Sequence, residues 1–500
     1  MSTGRQSKLL YIYTIGCQMN VYDSEHMALA LAPLGYVPAL SPADADMVIV
    51  NTCSVRSKAE EKAFSLLGRL EAVKRRRPGL IVAVAGCVAQ QEGVRILERA
   101  PHVDVVLGTR AVHRLASLVR RVQAGRGPVW DLEVDDGVED DEAAPEFAAP
   151  GTVSRFVTIM RGCDNFCAYC VVPHVRGRET SRPPEAILRE VEALVAAGAR
   201  QVTLLGQNVN SYGIKEGLCS FPELLARVNA VQGLARIRFT TSHPKDLTTE
   251  LIQAFGRLEK LCPHIHLPVQ SGSNRILERM NRRYTREHYL DNVAKLRNSC
   301  PGIAITSDMI VGFAGETQAD FEATLDLVRQ VQFDGLFAFM YSDRPKAPSS
   351  QFPEKVPVQD KRERLQALLE LQEKITYTRN RALVGSVQEV LTEGFNKKRA
   401  PGRSTEDTRP QWTGRTPGNK VVNFQCSVGP WGVREPRAGQ LVSVRIEKAL
   451  AHSLWGVLDE SPTAVGRPGR EVGHAAQSQH RRLDDGSGIQ HAHHHPQDRG

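Results

Sequence analysis

Three cysteines in one short run are the residues of this sequence best suited to metal chemistry. The stretch RGCDNFCAYC, residues 161–170, carries Cys163, Cys167 and Cys170 in a C-x3-C-x2-C spacing. A structural zinc site or a fully ligated iron–sulfur cluster takes four protein ligands, whereas this run offers three. The pattern therefore predicts an iron–sulfur cluster with one open position, and a zinc ion completed by His174 is the alternative.

The open position can be filled by a small ligand. An amino group and a carboxylate together can chelate the exposed iron, and S-adenosylmethionine carries both. A reduced [4Fe–4S] cluster can pass one electron to such a cofactor, while the protein supplies binding and orientation. The three-cysteine run therefore indicates radical chemistry.

Three more cysteines each follow a strand-like apolar run. LLYIYTIGC ends in Cys17, DMVIVNTC in Cys53 and LIVAVAGC in Cys87, with helical patterns between them. Strands that alternate with helices predict a parallel sheet, and ligand sites lie at the carboxyl ends of its strands. We expect these cysteines to share a second metal site at one sheet edge; three unrelated thiols are the alternative.

Strand and helix patterns then alternate six times between residues 151 and 341. Six such units predict a partial (β/α)6 barrel whose chemistry lies at the carboxyl ends of the strands. The cysteine run follows the first predicted strand, Gly206 and Gln207 follow the second, and His243 follows the third. Agreement between these positions supports one site at one end of the barrel.

The C-terminal part has a different pattern. From about residue 381, short alternating strands separated by Gly and Pro predict a small all-β barrel. Residues 381–458 hold twelve Lys or Arg against six Asp or Glu, including Lys397, Lys398 and Arg399. With exposed aromatic residues such as Trp412, this barrel is predicted to bind RNA; a purely structural barrel is the alternative.

Composition narrows the class of protein. The 500 residues are 41% hydrophobic and 24% charged, as is typical of soluble globular proteins. No apolar run approaches the ~20 residues of a membrane span, and the first residues lack a signal-peptide pattern. We therefore expect a cytoplasmic protein without membrane contact, in which reduced thiols serve as metal ligands.

Charge is unevenly distributed along the chain. Residues 131–146 hold nine acidic residues and no Lys or Arg, so the remaining residues carry +17 within a net charge of +8. This excess favours a polyanionic partner such as RNA, with solubility alone as the alternative.

Together these patterns predict an α/β chain with domains at 8–120, 151–379 and 381–458, an acidic linker at 121–150 and a disordered tail at 461–500.

Several motifs carry a family resemblance. MRGCDNFCAYCVVPHVRGRETSRP and NTCSVRSKAEEK resemble the methylthiotransferases of the radical S-adenosylmethionine superfamily, and most of all the MiaB-type tRNA methylthiotransferases. TGRTPGNKVVNF resembles the TRAM RNA-binding module, so the resemblance covers all three predicted domains. One departure is Lys346-Ala347, within YSDRPKAPSS, where the family usually has Gly-Thr. This change removes a flexible position from a loop at the predicted site.

The resemblance implies a reaction. It implies two [4Fe–4S] clusters, the second held by Cys17, Cys53 and Cys87 and involved in sulfur delivery. The substrate would be N6-isopentenyladenosine next to the anticodon of tRNA. A radical made from one S-adenosylmethionine would remove hydrogen from carbon 2, sulfur would be inserted there, and a second S-adenosylmethionine would add the methyl group. A flavodoxin or ferredoxin would supply electrons, and the sequence does not specify the sulfur donor.

The resemblance also implies cofactor contacts. Tyr169 is expected beside the adenine of S-adenosylmethionine, and Gly206 and Gln207 near its methionyl end. His243 and Arg344 are candidate polar contacts with cofactor or substrate. For each of these residues a structural role is the alternative.

Three other functions stay open. A methylthiotransferase of this kind can act on threonylcarbamoyl-adenosine of tRNA or on an aspartate of a ribosomal protein, although the residues after Asn-Thr-Cys and the basic barrel favour the first assignment. A non-catalytic iron–sulfur protein that binds RNA is a different class. The open coordination position disfavours that class, because a structural cluster is normally closed.

Overall fold

The computed structural model describes residues 7–54, 57–133, 152–396, 411–426, 428–429, 432–433 and 435–459. Most of the acidic stretch, the cations Lys397, Lys398 and Arg399, and the predicted tail at 461–500 lie outside these residues. Among the helices of the described ranges, none combines the length and the apolar character needed to cross a membrane.

The N-terminal part is a six-stranded parallel sheet covered by helices. Its strands are β1 (Lys8–Ile15), β2 (Tyr36–Pro38), β3 (Met47–Thr52), β4 (Ile81–Gly86), β5 (Val105–Leu107) and β6 (Val129–Asp131). Its helices are α1 (Gln18–Leu31), α2 (Ser57–Arg76), α3 (Cys87–Glu92), α4 (Arg95–Arg99) and α5 (Leu115–Gln123). The strand order is β2-β1-β3-β4-β5-β6. Every residue of β3 and β4 is buried, as expected for central strands with helices on both faces.

The end of this sheet differs from the sequence-based prediction of a linker from residue 121. Helix α5 continues to Gln123, and β6 pairs in parallel with β5 at the sheet edge. Arg114 holds Asp131, the first residue of the acidic stretch, in an ion pair. Because β6 has only three residues, its sequence carried no strand periodicity.

The central part is an open barrel of parallel strands with its helices outside. The strands of the barrel are β7 (Ser154–Thr158), β10 (Gln201–Leu205), β11 (Arg236–Phe239), β12 (His264–His266), β13 (Ala304–Val311) and β14 (Gly335–Met340), and the short strands β8 (Met160–Arg161) and β9 (Thr180–Ser181) form a separate pair. The helices are α6 (Val172–Val175), α7 (Pro184–Ala196), α8 (Phe221–Asn229), α9 (Thr249–Arg257), α10 (Asn274–Arg279), α11 (Arg286–Ser299), α12 (Gln318–Val331) and α13 (Val358–Arg381).

The barrel strands form two three-stranded sheets, β7-β10-β11 and β12-β13-β14. Ile237 of β11 pairs with Leu261, just before β12, and this pairing joins the two sheets. Along β13, Ile305, Met309 and Val311 belong to the core under the helices. Thr306 and Asp308, on the opposite inner face, are only half-buried. The inner face of the barrel is therefore polar and partly accessible.

The C-terminal part is a closed five-stranded barrel, β15-β16-β17-β21-β20. Its strands are β15 (Val387–Phe395), β16 (Trp412–Arg415), β17 (Val421–Gln425), β20 (Leu441–Ala449) and β21 (Leu454–Leu458), and β18 (Val428–Gly429) and β19 (Gly432–Val433) form a separate pair. The predicted α/β layout is thereby confirmed. The prediction that Trp412 is exposed is wrong: its side chain is buried in the barrel core and packs against Phe395.

Two buried arginines of β11 join this barrel to the central part. Arg236 donates to the carbonyl oxygen of Arg415 (2.6 Å) and to a carboxylate oxygen of Glu389 (2.8 Å). Arg238 donates to the carbonyl oxygens of Thr416 (2.7 Å) and Pro417 (2.9 Å). Because Arg236 is the first residue of β11, whereas the cysteine run follows the carboxyl end of β7, the C-terminal barrel lies at the end of the central barrel opposite the cysteine run.

Candidate metal centre

The structure brings Cys17, Cys53 and Cys87, called here the N-terminal triplet, to one sheet edge. Cys53 and Cys87 directly follow β3 and β4, and Cys17 follows β1 after Gly16; these three strands are adjacent. A hydrogen bond from Cys53, the charge of Arg176 and backbone N–H groups at the start of α1 lower the pKa of the exposed Cys17 to about 6. Burial raises the pKa of Cys87. The expected shared edge is thus present in the fold.

Local backbone geometry sets the position of Cys87. Gly86 has a φ of +89°, and a Cβ atom there would lie 2.3 Å from the carbonyl oxygen of Thr52. Only glycine adopts this conformation without strain, so the chain passes directly from β4 into α3 and Cys87 begins the helix. A buried hydrogen-bond network of Asn20 and Asn51 supports the neighbouring strand ends.

The second set, Cys163, Cys167 and Cys170, is called here the loop triplet. Its loop is closed by the antiparallel pairing of β8 with β9. Gly162 has a φ of +76° and lies close to the backbone of Arg178. A Cβ atom on residue 162 would lie 2.0 Å from the carbonyl oxygen of Arg178, so the close approach requires glycine. Burial raises the pKa of Cys163 to about 11 and that of Cys170 to about 12. These thiols would therefore lose their protons to a metal rather than to water at neutral pH.

N–H donors surround the sulfur atoms of the loop triplet. The N–H of Val172 donates to Cys170 Sγ (3.4 Å), and Nδ2 of Asn165 to Cys163 Sγ (3.7 Å). Arg282 donates through Nη1 to Cys167 Sγ (3.3 Å). Hydrogen bonds to sulfur stabilise cluster-bound thiolates and tune the cluster potential. The donor set around the loop triplet therefore fits an iron–sulfur cluster.

A single zinc ion fits less well. His174, the residue considered as a fourth ligand, is exposed in α6. A zinc ion holds all of its ligand atoms about 2.0–2.3 Å from one centre. A four-iron cluster instead binds each thiolate at a different iron atom, so the sulfur atoms of its ligands lie farther apart.

His243 lies beside the loop triplet. Burial and the charge of Arg282 lower the pKa of His243 to about 2, so its ring is neutral. Its Nδ1 accepts from the backbone N–H of Lys245 (3.3 Å), which leaves the ring proton on Nε2, 3.9 Å from Cys167 Sγ. The structure therefore places this predicted cofactor contact next to a cysteine of the loop triplet.

Arg282 was missed by sequence reasoning. It is buried, and besides Cys167 it contacts the hydroxyl oxygens of Tyr169 (3.3 Å) and Tyr284 (3.0 Å) and the carbonyl oxygen of Pro268 (2.7 Å). Tyr169 is thereby fixed beside the cysteines. Arg282 lies 115 residues from Cys167, and no spacing in the sequence marked it.

Unpartnered polar atoms lie at the ends of β10 and β11. Gln207 Oε1, Asn210 Oδ1 and Ser242 Oγ are buried and have no hydrogen-bond partner among the described residues. Buried polar atoms are normally satisfied, so these three atoms fit the binding of a polar cofactor. Gly206 has a packing role, since a Cβ atom there would lie 2.5 Å from Cγ of Met160.

Arg344 lies near Cys53 of the N-terminal triplet. Burial lowers the pKa of Arg344, and the opposing effect of the nearby Glu60 and Cys53 is smaller. Because Cys53 is one of these neighbours, Arg344 faces the N-terminal triplet. In the same loop Lys346 has a φ of +69°, a left-handed conformation favoured by glycine. The loop thus takes a backbone path suited to glycine, at a cost of about 1 kcal/mol. Ala347 is buried against Cys87.

Three family models match consecutive parts of the chain. They are described as uncharacterized protein family UPF0004 (residues 9–108), radical SAM superfamily (residues 157–328) and TRAM domain (residues 381–458). Among solved structures, the radical S-adenosylmethionine methyltransferase TsrM from Kitasatospora setae, with cobalamin and a [4Fe–4S] cluster bound, has a TM-score of 0.51 at 14% identity. That alignment covers 69% of this chain and 74% of TsrM, and it shows a shared fold.

Curated relatives are much more similar. A protein of Desulfosudis oleivorans named tRNA-2-methylthio-N(6)-dimethylallyladenosine synthase is 52% identical over 92% of this chain and 98% of its own length. Proteins of the same name from Geotalea uraniireducens and Syntrophobacter fumaroxidans are each 48% identical, over 91% and 94% of this chain and 99% and 98% of their own lengths. This chain therefore belongs to the tRNA-2-methylthio-N(6)-dimethylallyladenosine synthase family of radical S-adenosylmethionine enzymes, as its motifs indicated.

Proposed function

We propose that this protein adds a methylthio group to carbon 2 of N6-dimethylallyladenosine next to the anticodon of tRNA. The observation that carries the proposal is the pair of cysteine triplets, each one ligand short of a closed cluster, in a chain about half identical to synthases of that name over nearly its whole length. We assign one [4Fe–4S] cluster to each triplet. The clusters and S-adenosylmethionine supply one-electron reduction, radical chemistry and the methyl group when bound.

The protein's own residues would bind and orient these groups. The cysteines hold the clusters, while Arg282 and the Nε2 proton of His243 face Cys167. Gln207, Asn210 and Ser242 offer unpartnered polar atoms to S-adenosylmethionine. Tyr169, fixed by Arg282, is the candidate to stack on its adenine.

Partners and location follow from the same function. The C-terminal barrel would bind the anticodon arm through its excess of Lys and Arg. A flavodoxin or ferredoxin would donate electrons to the clusters. Because its substrate would be tRNA, we infer a cytoplasmic location.

Nucleoside mass spectrometry of tRNA from cells lacking this protein tests the function. We expect 2-methylthio-N6-dimethylallyladenosine to disappear and N6-dimethylallyladenosine to accumulate, because the preceding modification does not depend on this enzyme. Re-expression of the chain should restore the methylthio product. The assignment would be contradicted if cells lacking this protein kept an unchanged level of 2-methylthio-N6-dimethylallyladenosine and instead lost the methylthio form of threonylcarbamoyl-adenosine.

The inner face of the central barrel is where we place the substrate nucleoside. Phe337 of β14 is 56% exposed, and its ring lies 6.1 Å from the ring of His266. His266 in turn contacts Asp308 (3.4 Å between Nε2 and Oδ2) and Thr306 (3.0 Å between Nδ1 and Oγ1). An exposed aromatic ring beside polar groups suits a planar base with an apolar substituent.

Substitution of Phe337 by Ala should weaken the interaction with tRNA. Stacking of a base on an aromatic ring contributes roughly 1–3 kcal/mol, so we expect KM for tRNA to rise about tenfold or more. Cleavage of S-adenosylmethionine without tRNA should be unchanged. Tyr377→Ala, which removes a comparably exposed aromatic ring from α13, is the control. An unaltered KM for Phe337→Ala, or an equal rise for both variants, would place the nucleoside elsewhere.

A further inference from the structure

Arg176 links the two cysteine sites. It lies six residues after Cys170 in the loop closed by β8 and β9, yet its side chain lies among residues of the N-terminal part. Its Nη2 donates to Asp23 Oδ2 at 2.9 Å, and the two side chains are only 5% and 2% exposed. Cys87 and Cys17 are its other acidic neighbours.

The N-terminal part also fixes the backbone around Arg176. Nε of Arg110 donates to the carbonyl oxygen of Arg176 (3.1 Å), and the hydroxyl of Thr109 donates to that of Val175 (2.6 Å). Cys87 packs in one buried cluster with Val171 and Val175. The guanidinium is therefore held at the N-terminal triplet from both sides.

Burial of the Arg176 guanidinium beside the N-terminal triplet costs free energy unless the site carries negative charge. A buried arginine–carboxylate pair contributes little stability by itself, because both ions lose their hydration. Asp23 balances the single charge of Arg176, so stability alone does not require the guanidinium to lie beside two thiols. Three thiolates, by contrast, make a bound cluster anionic, and reduction adds a further negative charge.

We propose that Arg176 is a positioning residue whose guanidinium raises the reduction potential of the N-terminal cluster. The inference rests on the proposed function, because it requires a cluster on Cys17, Cys53 and Cys87. A nearby positive charge stabilises the reduced, more negative state, and net charge and hydrogen bonds to sulfur set the potentials of such clusters. The loop that carries one triplet thereby tunes the cluster of the other.

The test uses a background in which Cys163, Cys167 and Cys170 are replaced by Ala, so that the N-terminal cluster alone titrates. Three proteins are compared after anaerobic reconstitution: this background with Arg176 intact, called the parent, and the same background carrying R176K or R176M. Iron content is measured for each, and the midpoint potential is determined by a redox titration monitored by electron paramagnetic resonance. We expect R176M to lower the reduced fraction at a fixed potential at least tenfold, which is a shift of 59 mV for a one-electron couple. R176K should stay close to the parent.

R110M is the matched control. Arg110 is buried and holds the same segment, but through the backbone carbonyls of Arg176 and Arg178 (3.1 and 2.8 Å). An equal shift in R110M and R176M would show that loosening of the segment, and not the charge, is responsible, and would overturn the inference. So would an unchanged potential in R176M.

Iron content separates the remaining outcomes. If the parent background with Arg176 intact holds no cluster, the proposed function fails at the N-terminal triplet. If R176M loses iron while R176K keeps both iron and potential, the positive charge is required and the inference is supported. Loss of iron from both variants would overturn it, since charge would then not be the property that matters.

Discussion

Replacement of Cys163, Cys167 and Cys170 together by Ala is expected to remove about half of the iron from the anaerobically reconstituted protein, since one of two equal clusters loses its ligands. Methylthiolation of tRNA and cleavage of S-adenosylmethionine to 5′-deoxyadenosine should both fall below detection. The cofactor would lose the open iron on which it is chelated. Iron analysis, absorbance spectra and product analysis by mass spectrometry measure these effects.

Three other thiols provide the matched control. Cys219, Cys300 and Cys426 are half-buried, as are Cys163 and Cys170, but they lie apart from one another in the sequence. The triple Ala variant at these positions should keep its full iron content and activity. Stoichiometric zinc in the parent protein, or unchanged iron in the loop-triplet variant, would contradict the assignment of this cluster.

Substitution of Cys53 by Ala should separate the two halves of the reaction. The N-terminal triplet would lose a buried ligand, so methylthiolation of tRNA is expected to fall at least a hundredfold. Cleavage of S-adenosylmethionine should persist, because Arg282, His243 and the loop triplet are untouched. Both products can be quantified in a single reaction by mass spectrometry.

Cys262 is the control for this substitution, because it is also a buried thiol but belongs to the central part of the chain. Cys262→Ala should reduce stability through the same loss of packing while methylthiolation continues. If Cys53→Ala methylthiolated tRNA at the parent rate, the N-terminal triplet would have no part in the reaction. If it also lost cofactor cleavage, the two sites would not be separable.

The strand-and-helix layout was predictable because it depends on local patterns. Buried parallel strands such as Met47–Thr52 appear as continuous apolar runs, and amphipathic helices such as Pro184–Ala196 show a helical period. The six barrel strands and the closed C-terminal barrel were found in this way. The edge strand Val129–Asp131 was not, since three residues are too few to show a period.

Burial of individual side chains was less predictable. Trp412 was expected to be exposed as an RNA contact, but it packs in the core of the C-terminal barrel. Which face of a short strand points inward depends on strand register, and register is set when the barrel closes. The position of Lys346 was identified from the sequence, whereas its left-handed backbone conformation became visible only in the fold.

The sequence by itself determined the chemistry available to this protein. The C-x3-C-x2-C run lies within one loop, and each cysteine of the N-terminal triplet follows the end of its own strand, so both sets are encoded by local spacing. Only the tertiary structure decided which side chains surround them. Arg282 reaches Cys167 from 115 residues away, and Arg176 extends from the loop that carries the loop triplet to Asp23 and Cys87. Such contacts form when separate segments pack together. A buried charge needs a partner that lies close to it in space, and because that partner can come from any part of the chain, no periodic pattern in the sequence marks it.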